Sequence, residues 1–298
     1  MIVSSFNEKK NNSVVICLGG FDSMHLGHQL LISKAVHIKK ELNIDSAILT
    51  YDNDFGIISG KNKGLVFTLP ERLKVLEKYA IDEVCVAHFD ERFAVLSPLE
   101  FLHELCDNRH IEAFICGKDF KFGKNAKGNI ETLSAFCAER KIKLEVVDFL
   151  LDENEVKIST STIKDFLQDG NIEKANKLLG YSYFVMGKVV EGRKVGRQLG
   201  FPTANIQFSS EKFLPKLGVY KTSVQIDGKE YNAITNVGSA PTFGVECNLI
   251  ECYIDGFSGD LYGKQLTVNF HSFIREIQKF SSVDLLIKQL EKDLTVIR

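Results

Sequence analysis

The residue pattern with the clearest chemical meaning is a pair of histidines placed where an apolar run turns into a helical pattern. His25 and His28 follow the apolar residues 14–18 and Gly20, and Gly27 lies between them. A helix N-terminus carries unpaired N–H groups and the positive end of the helix dipole, and glycine lets an anion approach the backbone. Two imidazoles could donate hydrogen bonds to charge that develops on phosphoryl oxygens, which favours phosphoryl or nucleotidyl transfer. The alternative is two ordinary polar residues at a helix start, and zinc is disfavoured because no third ligand stands beside them.

Two further motifs in the first half could serve the same chemistry. The glycine-bounded loop 117–123 carries Asp119, which could lie near a nucleotide, although two inward-packed aromatic residues would explain this loop as well. A run of hydroxyls precedes Lys164 by about one helical turn, and hydroxyls at a helix start either cap the helix or bind phosphate. These hydroxyls are Ser159, Thr160 and Ser161.

The second half contains a loop that could wrap a polyphosphate. Its glycines lie among basic residues but match neither a P-loop nor a kinase glycine loop. Thr203 and Asn205, two apart on a predicted strand, point to one face and could hold Mg²⁺, or they form only a polar strand face. Glu251 interrupts an apolar strand, where it is either a general base for a substrate hydroxyl or a residue that faces water. The glycines of the loop are Gly187, Gly192, Gly196 and Gly200.

Up to about residue 150, short apolar runs alternate with helical periodicity, which predicts an α/β domain with a doubly wound parallel sheet. In such a sheet, ligands bind at the carboxyl ends of the strands, so that loops 19–28 and 117–123 could share one pocket. The predicted strands are 14–18, 47–51, 83–89, 113–116 and 144–149, and the predicted helices are 27–42, 70–79, 98–106 and 131–140.

After two short helices within 158–179, the hydrophobic period changes to two, which predicts a small antiparallel β-barrel. Asp227-Gly228 predicts a hairpin turn, and an amphipathic helix is expected over 283–296 with Ser281 and Asp284 as its capping box. The predicted domains are 1–180 and 181–298. The predicted barrel strands are 183–190, 203–208, 220–226, 230–236, 249–254 and 265–270.

Composition limits the partners that we expect. A net charge of −2 over 298 residues provides no large field for a nucleic acid or an anionic membrane. No apolar run approaches membrane-spanning length, and the N-terminus lacks the apolar core of a signal peptide. Seven cysteines form no CxxC pair, which is typical of free thiols in a reducing cytoplasm. We therefore expect a soluble cytoplasmic protein, a monomer or weak homo-oligomer, whose partners are small molecules.

Taken together, these motifs resemble those of the bacterial bifunctional riboflavin kinase/FMN adenylyltransferases, also called FAD synthetases. The resemblance extends from about residue 13 to residue 293. The first-half motifs belong to the wider nucleotidylyltransferase superfamily, whereas the second-half series is specific for riboflavin kinase. Besides the residues above, the second-half series contains Gly200-Phe201-Pro202-Thr203-Ala204-Asn205, Gly218-Val219-Tyr220, Asn236-Val237-Gly238, Pro241-Thr242-Phe243-Gly244, Leu261-Tyr262-Gly263, Arg275 and Lys279-Phe280.

The resemblance implies a riboflavin kinase in the barrel. The γ-phosphate of ATP would pass to the ribityl 5′-hydroxyl of riboflavin, with Glu251 as the base and with Thr203 and Asn205 around Mg²⁺. Arg275 and Phe280 would bind the flavin. The nucleotide would be covered by Gly192, Gly196, Gly200 and Pro202.

The resemblance also implies an FMN adenylyltransferase in the first domain. The phosphate of FMN would attack the α-phosphate of a second ATP, giving FAD and pyrophosphate, while His25 and His28 stabilise the transition state. The residues implied in nucleotide and phosphate binding are Gly20, Phe21, Asp22, Gly27, Asp119, Ser159, Thr160, Ser161 and Lys164.

The chain departs from the family pattern at four places. Ser23 replaces a glycine and would be strained if that position requires a positive φ. The segment 51–55 lacks the two prolines and the histidine usual there, Lys164 replaces an arginine, and Ile277 stands where an acid is common. Two alternatives to a two-step enzyme therefore stay open: a chain with only one of the two activities, and a flavin-binding regulator without turnover.

Overall fold

The chain folds into two compact units, Met1–Thr160 and Ser161–Arg298. The computed structural model describes residues 1–60, 63–192, 196, 199–242 and 245–298. The division lies twenty residues before the domain boundary expected at residue 180. The reason is that the two helices in this interval pack with the second unit, where the side chain of Asn176 donates to the carbonyl of Phe270 and accepts from the N–H of Tyr183.

The first unit is built on a parallel sheet of six strands in the order β1-β4-β3-β2-β5-β6, as predicted for a doubly wound domain. The buried strands β2, β3 and β5 are nearly continuous apolar runs, because helices cover both faces of such a sheet. The strands are β1 (Ile2–Ser5), β2 (Ser13–Leu18), β3 (Asp45–Tyr51), β4 (Glu83–Ala87), β5 (His110–Gly117) and β6 (Lys143–Val147).

Helices connect these strands, two more follow the last strand, and most of them begin at clear capping signals. Ser97 and Glu100 form a capping box with Pro98 in the first turn, which confirms the helix start predicted there. The helices are α1 (Leu26–Leu42), α2 (Gly56–Ser59), α3 (Leu69–Leu76), α4 (Glu91–Ala94), α5 (Pro98–Asn108), α6 (Ile130–Arg140), α7 (Thr160–Gln168) and α8 (Ile172–Leu179).

The strand order reverses direction between β2 and β5. From β2 the chain continues to β3 on one side, whereas β5 pairs with β2 on the other side. Leu18 lies opposite Cys116 at this edge, so the loops that follow these strands both leave from it. Ligands in doubly wound sheets bind at such a reversal point.

The second unit is a closed barrel in the order β10-β11-β8-β7-β12-β9, with antiparallel pairing throughout, which confirms the predicted barrel. Asp227 and Gly228 form the turn between two strands. Both residues have left-handed backbone conformations, as a tight hairpin requires. The strands are β7 (Phe184–Val190), β8 (Thr203–Gln207), β9 (Gly218–Ile226), β10 (Lys229–Thr242), β11 (Val245–Ile254) and β12 (Gln265–Arg275).

The last helix, α9 (Val283–Leu294), packs its C-terminal end on the barrel. Its cap is Ser282, whose hydroxyl accepts the N–H of Leu285, so the prediction of a capping box at Ser281 and Asp284 was wrong by one residue. Adjacent serines give the same sequence signal, and the backbone of Ser282 is the one that adopts the extended conformation of a cap.

Candidate active sites

We call His25, Gly27, His28 and the loop after β2 the histidine corner. His25 is the N-cap of α1, and its Nδ1 accepts the N–H of His28 at 3.1 Å. A Cβ added at Gly27 would lie 3.0 Å from Cε1 of His25, so a side chain there would press on the imidazole. The corner therefore forms where the sequence predicted it, and glycine preserves the position of the first histidine.

Both imidazoles of the corner are neutral at neutral pH. Burial lowers the pKa of His25 to about 4 and holds the pKa of His28 well below its ordinary value. Because Nδ1 of His25 accepts a hydrogen bond, its proton lies on Nε2. The two rings stack with centroids 3.7 Å apart, and Nδ1 of His28 is buried with no hydrogen-bond partner among the described residues. The corner thus offers uncharged N–H donors.

The loop between β2 and α1 contains two non-glycine residues with left-handed backbones, Phe21 and Met24. The carboxylate of Asp22 accepts the N–H of Phe67 at 3.3 Å, so in this structure Asp22 anchors the loop. A Cβ added at Gly20 would lie 3.1 Å from the ring of Phe55. Ser23 has no left-handed φ, so the strain expected for a serine there does not arise.

Asp119 follows β5 and is paired with Lys157, a residue that the sequence analysis missed. Both charges act on the pKa of His25, which Asp119 raises and Lys157 lowers. They therefore lie close enough to the corner to influence its electrostatics. The ammonium of Lys157 also lies 4.1 Å from the centroid of the Phe149 ring. Lys157 could have been predicted as a site residue from the sequence, because it directly precedes the run 158–162, which contains the proposed phosphate-binding hydroxyls.

The predicted hydroxyl run is divided between the two units. Ser159 and Thr160 belong to the first unit, and the hydroxyl of Thr160 lies 2.9 Å from that of Ser23. Ser161 and Lys164 belong to the second unit, where the ammonium of Lys164 lies 5.4 Å from the centroid of the Phe213 ring.

The unusual segment 51–55 is held by contacts of its own. The side-chain amide of Asn53 donates to the carbonyl of Phe89 and accepts its N–H, at 3.0 and 2.9 Å. Asp54 accepts the N–H of Gly56 at 2.6 Å. The rings of Tyr51 and Phe55 meet edge to face at 4.5 Å. Hydrogen bonds from polar side chains thus fix the loop that prolines would otherwise stiffen.

In the second unit, strand register assembles a row of polar residues that we call the barrel face: Thr203, Asn205, Asn236 and Glu251. Glu251 on β11 lies directly opposite Asn205 on β8 and Asn236 on β10. Side chains opposite one another in antiparallel strands share a face with Cβ atoms about 4.5–5.5 Å apart. Thr203 shares that face because it lies two residues from Asn205. Asn236 was quoted among the sequence motifs but was not predicted as a site residue.

Burial shows which side of the barrel Glu251 faces. Its neighbours Ile250 and Cys252 are fully buried, whereas Glu251 is half-buried. Since side chains alternate along a strand, Glu251 points away from the barrel interior. This outer side also carries Asn205, which is only 8% exposed, so Glu251 lies on a partly covered surface of the barrel.

Glycines of the predicted loop approach the barrel face closely. A Cβ added at Gly192 would lie 2.2 Å from Nδ2 of Asn205, and one at Gly196 would lie 3.5 Å from Oγ1 of Thr203. Gly200 has a φ of +82°, a conformation that favours glycine, and Pro202 is exposed. The remaining loop residues 193–195 and 197–198, and Phe243 and Gly244 of the quoted motif, lie outside the described residues.

The two predicted flavin-binding residues have different surroundings. Arg275 binds the buried carboxylate of Asp293 with three hydrogen bonds of 2.7 to 3.0 Å and so links β12 to α9. Phe280 is half-buried in the segment between these two elements. Arg275 thus forms a salt bridge that holds the fold together. This ion pair with Asp293 was not predicted from the sequence.

Among the described residues, no helix is long and apolar enough to cross a membrane.

The family model described as FAD synthetase matches residues 7–162, and the model described as riboflavin kinase matches residues 179–298.

Similar proteins cover nearly the whole chain. A bifunctional riboflavin kinase/FMN adenylyltransferase of Listeria monocytogenes is 34% identical, with 94% of this chain and 90% of the relative covered. The protein of the same description from Haemophilus influenzae is 35% identical, over 93% and 91%. A crystal structure from Streptococcus pneumoniae, described as a macrolide-efflux protein, is 30% identical with a TM-score of 0.89 and covers 100% of this chain and 99% of its own.

Proposed function

The chain belongs to the family of bifunctional riboflavin kinase/FMN adenylyltransferases, and we propose that its two units divide the two reactions between them. The protein is an ATP-dependent transferase that phosphorylates riboflavin to FMN and adenylylates FMN to FAD with release of pyrophosphate. The proposed division assigns adenylyl transfer to the first unit, the N-terminal domain Met1–Thr160, and the kinase to the second unit, Ser161–Arg298. The observation that carries it is one polar cluster within each matched region: the histidine corner and the barrel face.

In the kinase reaction, the 5′-hydroxyl oxygen of riboflavin bonds to the γ-phosphorus of ATP and ADP leaves. Glu251 accepts the hydroxyl proton as general base. Its half-buried position between Asn205 and Asn236 supports this role, because amide groups can orient a carboxylate without neutralising it. The reaction depends mainly on positioning and on compensation of phosphate charge.

The barrel face also suits a magnesium ion. The hydroxyl of Thr203 and the amide oxygen of Asn205 are hard oxygen donors on one face of β8. The absence of a side chain at Gly192 leaves room for the amide of Asn205, which supports its use as a ligand. When bound together with ATP, magnesium neutralises phosphate charge. Gly196, Gly200 and Pro202 belong to the loop that covers the nucleotide.

In the adenylyl transfer, a phosphate oxygen of FMN bonds to the α-phosphorus of ATP and the bond to the β-phosphate oxygen breaks, so that pyrophosphate leaves. His25 and His28 donate hydrogen bonds to the charge on the transferred group. Their low pKa values support donation by neutral imidazoles. The N-terminus of α1 adds the positive end of its dipole. Within the first unit, the residues proposed to complete phosphate binding are Gly20, Phe21, Asp22, Gly27, Asp119, Ser159 and Thr160.

Arg275 and Phe280 are proposed to border the flavin site of the kinase. The bond to Asp293 fixes the guanidinium of Arg275, so that its contribution is to hold the segment that carries Phe280. The free thiols of Cys17, Cys85, Cys106, Cys116, Cys137 and Cys252 support a reducing cytoplasm as the compartment. The protein is proposed to be a monomer or weak homo-oligomer.

A single incubation tests the two-step assignment. Purified protein is mixed with riboflavin, ATP and Mg²⁺, and flavins are separated by chromatography over time. We expect FMN to appear first and FAD to follow. Formation of FMN without FAD, also when FMN is supplied directly, would contradict adenylyl transfer, and the absence of both products would favour a flavin-binding protein.

A further inference from the structure

Ser23 occupies a constrained position beside the histidine corner. It is fully buried and lies in a loop whose residues Phe21 and Met24 both have left-handed backbones. Such conformations persist only where surrounding contacts determine them. One contact is the side chain of Gln29, which donates to the carbonyl of Met24 at 2.9 Å. The loop that leads to His25 is thus held by side-chain hydrogen bonds.

The hydroxyl of Ser23 makes the most distant of these contacts along the sequence. It lies 2.9 Å from the hydroxyl of Thr160, 137 positions away and within the same compact unit. Thr160 is the first residue of α7 and belongs to the hydroxyl run proposed to bind phosphate. The bond therefore joins two phosphate-binding segments that the sheet itself does not connect.

We propose that Ser23 is a positioning residue for adenylyl transfer, which sets the hydroxyl of Thr160 relative to the histidine corner. This inference rests on the proposed function of the N-terminal domain. Ser23 acts through Thr160 and touches no reacting atom.

The chemistry of the step explains why such a bond matters. In the proposed reaction FMN attacks ATP directly, so the rate depends on how accurately donors surround the α-phosphate. A Thr160 hydroxyl that is free to shift by a fraction of an ångström would weaken contacts that strengthen in the transition state. Loss of the bond should accordingly lower kcat more than it raises KM.

The test compares Ser23→Gly, Ser23→Ala and Thr160→Val with FMN and ATP as substrates. We expect kcat for FAD formation to fall about twofold to tenfold in each, with KM for FMN changed less than twofold. The double variant Ser23→Ala/Thr160→Val should lose no more than the stronger single variant, because both remove the same bond.

Controls separate this proposal from folding and from the proposed function. Ser33→Ala removes an exposed serine hydroxyl of α1 and should leave kcat unchanged. Riboflavin phosphorylation, measured in every variant, reports the second unit and should not change. The proposal is overturned if Ser23→Gly and Ser23→Ala have wild-type kcat, or if the losses multiply in the double variant. Absence of FAD formation in the wild-type protein would instead contradict the proposed function itself.

Discussion

The histidine corner and the barrel face, the two proposed phosphate-binding sites, are built by different means. The corner is made by a loop and a helix start, where His25 caps α1 and Phe21 and Met24 adopt left-handed backbones. The barrel face is made by strand register, which sets Glu251 beside Asn205 with no unusual backbone. A loop site depends on hydrogen bonds that fix each turn, whereas a register site depends on pairing that many residues share. Single substitutions should consequently separate the two activities.

The largest difference between the two activities is expected from Glu251→Gln. The amide has nearly the same shape but cannot accept the hydroxyl proton, so riboflavin phosphorylation should fall about 10²- to 10⁴-fold. FAD formation from supplied FMN should stay at the wild-type rate. Chromatography of flavins measures both, and Glu291→Gln on the exposed side of α9 is the matched control. A wild-type kinase rate in Glu251→Gln would remove the general-base role.

The converse separation is expected from His28→Ala. Removal of one donor to the transferred phosphate should lower FAD formation from FMN about 10²- to 10³-fold, while FMN formation from riboflavin continues. His37→Ala is the control, because His37 is an exposed histidine of the same helix that pairs only with Glu41 among the described residues. Equal loss of both activities in a folded His28→Ala protein would contradict separate sites.

A smaller effect is expected from Gly192→Ala. The new Cβ would lie 2.2 Å from Nδ2 of Asn205, so the amide must move away from its position beside Glu251. A displacement of about 1 Å lowers positioning-dependent rates by up to about 10²-fold, and we expect a 10- to 100-fold loss of riboflavin phosphorylation. FAD formation from FMN serves as the internal control. An unchanged kinase rate would show that the kinase reaction does not depend on the position of the Asn205 amide beside Glu251.

The smallest expected effect concerns the pH dependence of adenylyl transfer, which should show no titration of His25 near neutral pH. With the pKa of His25 near 4, adenylyl transfer should show no histidine titration between pH 5.5 and 8. Because the folded pKa lies below the ordinary value of 6.5, the unfolded chain binds more protons, and the contribution of His25 to stability is lost as the pH falls from 6.5 towards 4. A pH–rate profile tests the first statement. A step near pH 6.5 that His25→Asn removes would contradict it.

Much of the architecture was visible in the sequence, because long apolar runs and helix caps act locally. Strand β2, the helix over 98–106 and the barrel hairpin at Asp227-Gly228 were all confirmed. Strand β1 was missed because its apolar residues Ile2 and Val3 are exposed, so that no burial pattern marks it. It is held by parallel pairing with β4, a contact between distant parts of the chain.

The same distinction between local signals and contacts of distant residues applies to the candidate sites. Types and spacing led to the prediction of His25, His28 and Glu251 as site residues, because the relevant signal lies within a few residues. The pairing of Asp119 with Lys157, the bond between Ser23 and Thr160 and the place of Asn236 beside Glu251 all join residues far apart in sequence. Such contacts depend on tertiary packing and strand register, which a single sequence does not encode locally.

The central claim, that two separate sites act in sequence with FMN passing between them, is tested most directly by mixing two variants. Glu251→Gln alone should make almost no FMN from riboflavin, and His28→Ala alone should stop at FMN. Incubated together with riboflavin, ATP and Mg²⁺, the two should produce FAD, because each supplies the site that the other lacks. If the mixture accumulates FMN but no FAD, while Glu251→Gln with supplied FMN also yields none, the two activities do not reside in separable sites.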